Sequence, residues 1–166
     1  RFGVKQKEIL KKLKPGLHVL SLSATPIPRT LHITLSELRD LSLITTPPWG
    51  RKPIATSFSP HDDKLIRSAI TQELARGGQI YYLVNRIAKI PAAQALLHKL
   101  LPKLKVGVAH GRLPEKELAQ IMHDFDIQKI DALLATTIIE NGLDLPNVNT
   151  LIVEESQNFG LSDLYK

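Results

Sequence analysis

Three short stretches of the 166-residue chain hold residue types suited to gripping phosphate groups, and each follows directly on an apolar run. Ser23-Ala24-Thr25-Pro26 offers two hydroxyls after Leu17–Leu22. Ligands of open α/β sheets collect beyond the carboxyl ends of the strands, so hydroxyls there can reach a ligand or a neighbouring catalytic loop. The same four residues fit a Ser/Thr turn ahead of a helix started by Pro26 and Pro28. The second stretch runs from Thr136 and Thr137 through Glu140, Asn141, Gly142 and Asp144 to Pro146. Paired threonines at a strand end present hydroxyls and free amides to a phosphate, Gly142 permits close backbone approach, and Asp144 is an acceptor for a ribose hydroxyl. Taken alone, this segment reads as an Asn-Gly turn with a solvent-facing aspartate. In the third, Ala109-His110-Gly111-Arg112 precedes Pro114, and a strand-to-helix turn with a glycine and a free helix N-terminus can hold a phosphate oxygen. His110 otherwise reads as a turn residue satisfied by backbone groups.

Other chemistry is missing from the sequence. There is no Gly-x-x-x-x-Gly-Lys-Ser/Thr loop, no Gly-x-Gly-x-x-Gly fingerprint and no Asp-Glu pair closing an apolar strand, so the chain by itself is not expected to hydrolyse ATP. With no cysteine, and six histidines outside any His-Glu-x-x-His spacing, neither disulfides nor a zinc site are expected. No apolar run reaches about 18 residues and no charged-then-apolar leader is present, which points to a cytoplasmic location without a membrane partner. The net charge of +6 is uneven. Residues 1–60 carry 10 Lys and Arg against 3 Asp and Glu, whereas residues 61–166 carry 12 against 13. Most of the excess is the lysine face of an amphipathic helix with Ile9, Leu10 and Leu13 on its buried stripe. Nucleic-acid contact by the remainder must therefore be local, through backbone amides and a few side chains.

The elements that would position these groups alternate. Strand patterns are expected at Leu17–Ser23, Gln79–Val84, Lys105–Ala109, Asp131–Thr136 and Thr150–Glu154. Helical patterns lie between most of them. Asp62–Arg76 puts Leu65, Ile66, Ala69, Ile70 and Leu74 on one stripe and stops at Gly77-Gly78. A second helix runs from about Pro91 to Leu101 with Leu96, Leu97 and Leu100 inward. A third begins near Pro114 and buries Leu118, Ile121, Met122 and Phe125. The fold class is α/β, a parallel sheet with right-handed crossovers and helices on both faces. The prolines between Asp40 and Pro60 mark a linker, dividing the chain into residues 1–46, a linker at 47–60 and a lobe at 61–166. Leu17–Leu22 belongs inside a parallel sheet, yet residues 1–46 hold no other strand, so the chain is expected to start partway through a domain. An uncovered strand of that kind invites self-association.

In order along the chain, Ser-Ala-Thr-Pro at 23–26, Tyr-Tyr-Leu-Val-Asn at 81–85, Ala-His-Gly at 109–111 and Thr-Thr-Ile-Ile-Glu-x-Gly-x-Asp-x-Pro at 136–146 resemble motifs III, IV, IVa and V of superfamily 2 helicases. Arg1-Phe2-Gly3-Val4, the stretch Ala24–Leu31 and Phe159-Gly160-Leu161 are similar to the branch that holds RecG and the bacterial transcription-repair coupling factors. Arg39-Asp40-Leu41-Ser42, Thr46-Pro47-Pro48 and Gly77–Tyr82 are closer to the coupling factors. The resemblance implies a RecA-like second lobe preceded by the end of a first, with the magnesium-binding acidic motif before Arg1 and the arginine motif after Lys166. It implies that Ser23, Ala24, Thr25 and Pro26 couple ATP state to lobe movement, and that Gly142 and Asp144 face the nucleotide. Asn85, His110, Gly111, Thr136, Thr137 and Glu140 would lie along the DNA, with Gly142 also touching its backbone. ATP and Mg2+ would serve the parent protein and none is expected on this segment. The implied partners are double-stranded DNA, RNA polymerase and excision-repair proteins. A RecG-type branch-migrating helicase, and a stand-alone α/β module for a phosphate-containing ligand, are the other readings.

Overall fold

The computed structural model describes residues 42, 44, 46, 54–136, 145 and 147–160, all within one compact unit, Asp40–Lys166. The elements expected in residues 1–41 lie outside the described residues.

One short strand sets the architecture. β3 (Ala132–Ala135) has all four side chains fully buried, which requires hydrogen-bonded neighbours at both edges and cover on both faces. β1 (Gln79–Leu83) pairs with it in parallel on one side and β2 (Val106–Ala109) in parallel on the other. β4 (Val148–Val153) extends the sheet beyond β1, giving the order β2-β3-β1-β4. The pleat sends alternate residues to opposite faces. Ile80, Tyr82, Ala132 and Leu134 enter one core cluster, while Leu133, Ala135 and Ala109 enter the other.

Helices α1 (Asp63–Ala75) and α2 (Ile90–Leu100) cover the first face through Ile70, Ala93 and Leu97. Helix α3 (Glu115–Asp126) covers the second through Phe125. This division follows from chirality. The crossover β1-α2-β2 runs one way along the sheet and β2-α3-β3 runs back, so right-handed connections put their helices on opposite faces.

Local chemistry explains the boundaries. The Asp62 carboxylate accepts the amides of Lys64 and Leu65 at 2.8 and 3.4 Å and starts α1. At its other end Gly77 has φ +77°, its amide donates to the Leu74 carbonyl, and the Gly78 amide donates to the Glu73 carbonyl, both at 3.0 Å. That is a Schellman closure, which a left-handed glycine adopts without the strain a side chain would bring. Pro91 sits in the first turn of α2, where its missing N–H leaves no helical bond broken.

The four strand patterns expected beyond residue 60 are all present, with shifted ends. β4 starts at Val148 rather than Thr150, because Gln79 pairs with Val148 and Ile80 with Thr150, leaving Asn149 as a bulge. The inward residues of α2 are Ile90, Ala93 and Leu97, whereas Leu96 and Leu100 are only half-buried. Leu65 is 43% exposed. In its place the inward stripe of α1 includes a charged residue, Glu73, which is fully buried.

One carboxylate oxygen of Glu73 accepts hydrogen bonds from Arg76 and from the Thr150 hydroxyl of β4, which offsets part of the cost of burial, while its Oε1 is buried without a partner among the described residues. Burial pushes this carboxyl up, but those hydrogen bonds and the guanidinium charge outweigh it and hold it below its ordinary value of 4.5. The folded state therefore binds that proton less tightly than the unfolded chain. The resulting stability is complete above pH 4.5 and is lost as pH falls through the lower folded value. Urea unfolding between pH 7 and pH 3 is expected to show an acid decline that Glu73→Gln flattens. A Cβ at Gly78 would overlap the Glu73 carboxylate. Gly78→Ala is accordingly expected to lower stability by about 2 kcal/mol, measured as a reduced urea midpoint.

Candidate nucleic-acid interface

Parallel pairing gathers the carboxyl ends of the strands at one edge. Leu83, Ala135 and Ala109 stand side by side in register, so Asn85, Thr136 and His110 leave the sheet from three adjacent strands. The ladder continues one step past them. The Val84 amide donates to the Ala135 carbonyl at 2.9 Å and the Thr136 amide to the Ala109 carbonyl at 3.3 Å. β1 and β3 also form the topological switch point. The chain leaving β1 enters the α2 face, whereas the approach to β4 packs on the α3 face through Leu145 and Val148. Open α/β sheets bind ligands at the carboxyl edge where connections diverge in this way.

Within the described residues, the structure thus brings Asn85, His110, Gly111 and Thr136 to one edge. Thr136 is buried, and Asn85 and His110 are half-buried. The Asn85 Oδ1 and His110 Nδ1 atoms are buried and have no hydrogen-bond partner among the described residues. Glu73 Oε1 and Tyr82 Oη are likewise buried without a partner among the described residues; an unsatisfied buried polar atom costs about 1–3 kcal/mol, and the two at this edge are the ones beside strand-end loops. Gly111 is exposed in a tight turn in which the Leu113 amide donates to the His110 carbonyl at 3.0 Å. The N-terminus of α3 behind that turn carries Glu115 and Glu117 in its first turn. Those carboxylates complement the helix dipole and repel phosphate. This leaves His110, Gly111 and Arg112, rather than the helix end, as the groups at this position without a carboxylate in the first turn of a helix. Ser23, Ala24, Thr25, Pro26, Thr137, Glu140, Gly142 and Asp144 lie outside the described residues.

Two groups at the sheet ends carry no signal in the sequence pattern. Lys89, in the 3-10 turn Ile87–Lys89 after β1, forms an ion pair with Glu155, just past β4. Glu155 has φ 51° and ψ 51°, a left-handed conformation that costs a residue with a Cβ about 1–2 kcal/mol. Its carboxylate also accepts the Asn158 side-chain amide at 2.8 Å. The Lys89 hydrogen bond and charge, with Asn158 and Arg86, hold the Glu155 carboxyl below the usual carboxylate range. At the opposite edge, the buried Gln79 donates its side-chain amide to the carbonyls of Phe125 and Ile130 at 2.7 and 2.8 Å, tying the end of α3 to the start of β1. Only a polar residue opening an apolar strand could have hinted at that role. In the strand between them, burial pushes the Tyr81 hydroxyl up to about 12. Burial and the charge of Glu154 raise Tyr82 further still. Both tyrosines therefore stay neutral wall residues.

Among the described residues no group of three or more His, Asp or Glu side chains is placed to hold a metal ion. No helix among them is long and apolar enough to cross a membrane.

A parallel sheet covered on both faces, with polar residues along its carboxyl edge, matches the RecA-like lobe of helicases, and the chain belongs to the helicase conserved C-terminal domain family, whose model matches residues 62–165. Over its whole length it is 49% identical to the transcription-repair-coupling factor of Bacillus subtilis, 46% to that of Myxococcus xanthus and 43% to that of Escherichia coli. It spans 14% of the length of each of these relatives. Among solved structures it is similar to RecG bound to a three-way DNA junction, at 33% identity and a TM-score of 0.66, covering 85% of this chain and 19% of that one. A Saccharomyces cerevisiae Dbp5 variant bound to Gle1 and IP6 shares the fold at 18% identity and a TM-score of 0.53, covering 93% of this chain and 33% of that one.

Proposed function

We propose that this chain is the part of an ATP-dependent double-stranded DNA translocase, of the transcription-repair-coupling kind, that grips DNA and relays the ATP state. The parent protein displaces stalled RNA polymerase and couples transcription to excision repair. The observation that carries the reading is that Asn85, His110-Gly111 and Thr136, which follow one another along the chain in the order of motifs IV, IVa and V, come together on one sheet edge as His110, Thr136 and Asn85. Identity of 43–49% to coupling factors across all 166 residues supports it.

In this reading residues 1–46 are the end of a first lobe, 47–60 the linker and 61–166 the second lobe. Ser23 and Thr25, with Ala24 and Pro26, transmit nucleotide state; Asp144 and Gly142 face the nucleotide; Thr137, Glu140 and the three strand ends meet the DNA. The chemistry needed is modest. Sugar-phosphate groups approach the carboxyl edge, where His110, Gly111, Arg112 and the Asn85 amide contact them locally. The near balance of charge in residues 61–166, 12 basic against 13 acidic, makes this a grip of individual contacts rather than a positive field. In the complete gene product ATP turnover, with Mg2+, would drive the step along the strand through a hinge-type movement. The RecG-type reading draws on the 0.66 TM-score to the junction-bound RecG.

Two outcomes test the proposal. The 166-residue chain, which has no phosphate-cradling loop, is expected to show no DNA-stimulated ATP hydrolysis in a coupled phosphate-release assay, and sustained turnover would overturn the assignment. In the complete gene product that carries this segment, Asn85→Ala and His110→Ala should each raise the duplex concentration for half-maximal ATPase stimulation about five-fold, one lost polar contact apiece. Displacement of a stalled polymerase without branch migration of a three-way junction selects the coupling factor over RecG.

A further inference from the structure

The carboxyl edge has a contact that lies outside the four motif stretches at 23–26, 81–85, 109–111 and 136–146. Lys89 and Glu155 are 66 positions apart and pair across the ends of two adjacent strands. β1 and β4 run in register to Leu83 and Val153, and the Glu154 amide donates the last ladder bond to the Leu83 carbonyl at 3.0 Å. Glu155 is therefore the first residue free of the sheet. It organises the turn Ser156–Asn158 twice over, because its carbonyl accepts the Asn158 amide at 2.9 Å and its carboxylate accepts the Asn158 side chain at 2.8 Å. Through Lys89 the same carboxylate holds the loop that carries Asn85 and Arg86.

Burial does not explain the pair. The two side chains are 39% and 35% exposed and neither belongs to a core cluster. Stability alone would favour glycine at a position with φ 51°. Gln128, in the turn after α3, is also left-handed, so the conformation alone does not mark a site; at Glu155 it coincides with an ion pair to the loop of the neighbouring strand.

We propose that the Lys89–Glu155 ion pair is a positioning contact, locking the loop that leaves β1, and Asn85 with it, to the turn that leaves β4, so that both edges of β1 present a fixed surface to the DNA backbone. The inference rests on the DNA-translocase reading above. It assigns no chemistry to either residue; both act through Asn85.

The test uses the complete gene product. Lys89→Glu and Glu155→Lys should each raise the half-saturating duplex concentration about three-fold, and the doubly reversed protein should return towards the original value. Glu155→Gly separates positioning from folding. It should leave the thermal midpoint unchanged or higher while weakening half-saturation as the charge reversals do, and amide hydrogen exchange should quicken in both 84–90 and 156–159. Unchanged half-saturation and exchange in Glu155→Gly, or no recovery in the double reversal, would overturn the inference while leaving the translocase reading intact. Absence of any DNA stimulation in the unaltered protein would instead overturn the translocase reading and the DNA role of the pair together.

Discussion

The structure depends on the burial of β3. Four small and medium apolar side chains with no exposure on either face cannot sit at a sheet edge or beside water. The strand must be flanked by β1 and β2 and covered by helices above and below. Right-handed crossovers then leave little choice in placing α2 and α3 on opposite faces. Those connections diverge at the ends of β1 and β3, the position at which open α/β sheets bind ligands. The candidate interface is in this sense a by-product of packing the most apolar segment of the lobe.

The two edges of the sheet treat their polar groups differently. At the amino edge they are tied to neighbouring elements: Gln79 closes the end of α3, Asp131 accepts the Lys105 amide at 2.9 Å, and Glu73 joins α1 to Thr150 of β4. Such bonds to backbone and paired side chains make that edge a fastening. At the carboxyl edge Asn85 Oδ1 and His110 Nδ1 have no partner among the described residues, and Glu155 is held in a left-handed conformation. The contrast is one of degree, since Glu73 Oε1 at the amino edge also lacks a partner among the described residues and Gln128 there is also left-handed, but the loops at the carboxyl ends carry the candidate contacts.

The DNA-facing reading rests on spacing more than on charge. The basic excess of the chain lies in residues 1–60, outside the lobe that carries Asn85, His110 and Thr136. A near-neutral lobe cannot concentrate DNA by a long-range field, so its contacts depend on geometry. That places weight on whatever keeps the strand-end loops at fixed separation, which is the task assigned to Lys89 and Glu155.

The sequence alone determined the element types of the lobe and the order of its polar segments. Apolar runs bounded by glycine and proline specify buried strands, Gly77-Gly78 specifies a helix end, and Asn85, His110 and Thr136 each fall just past such a run. These are local properties, written in neighbouring residues. Tertiary structure alone decided that the three residues share one edge, that Glu73 rather than Leu65 faces inward, that Asn149 bulges to set the start of β4, and that Lys89 meets Glu155. Each depends on strand order, register or a contact between distant positions. Periodicity identifies which residues a strand contains, but only packing decides what lies beside it.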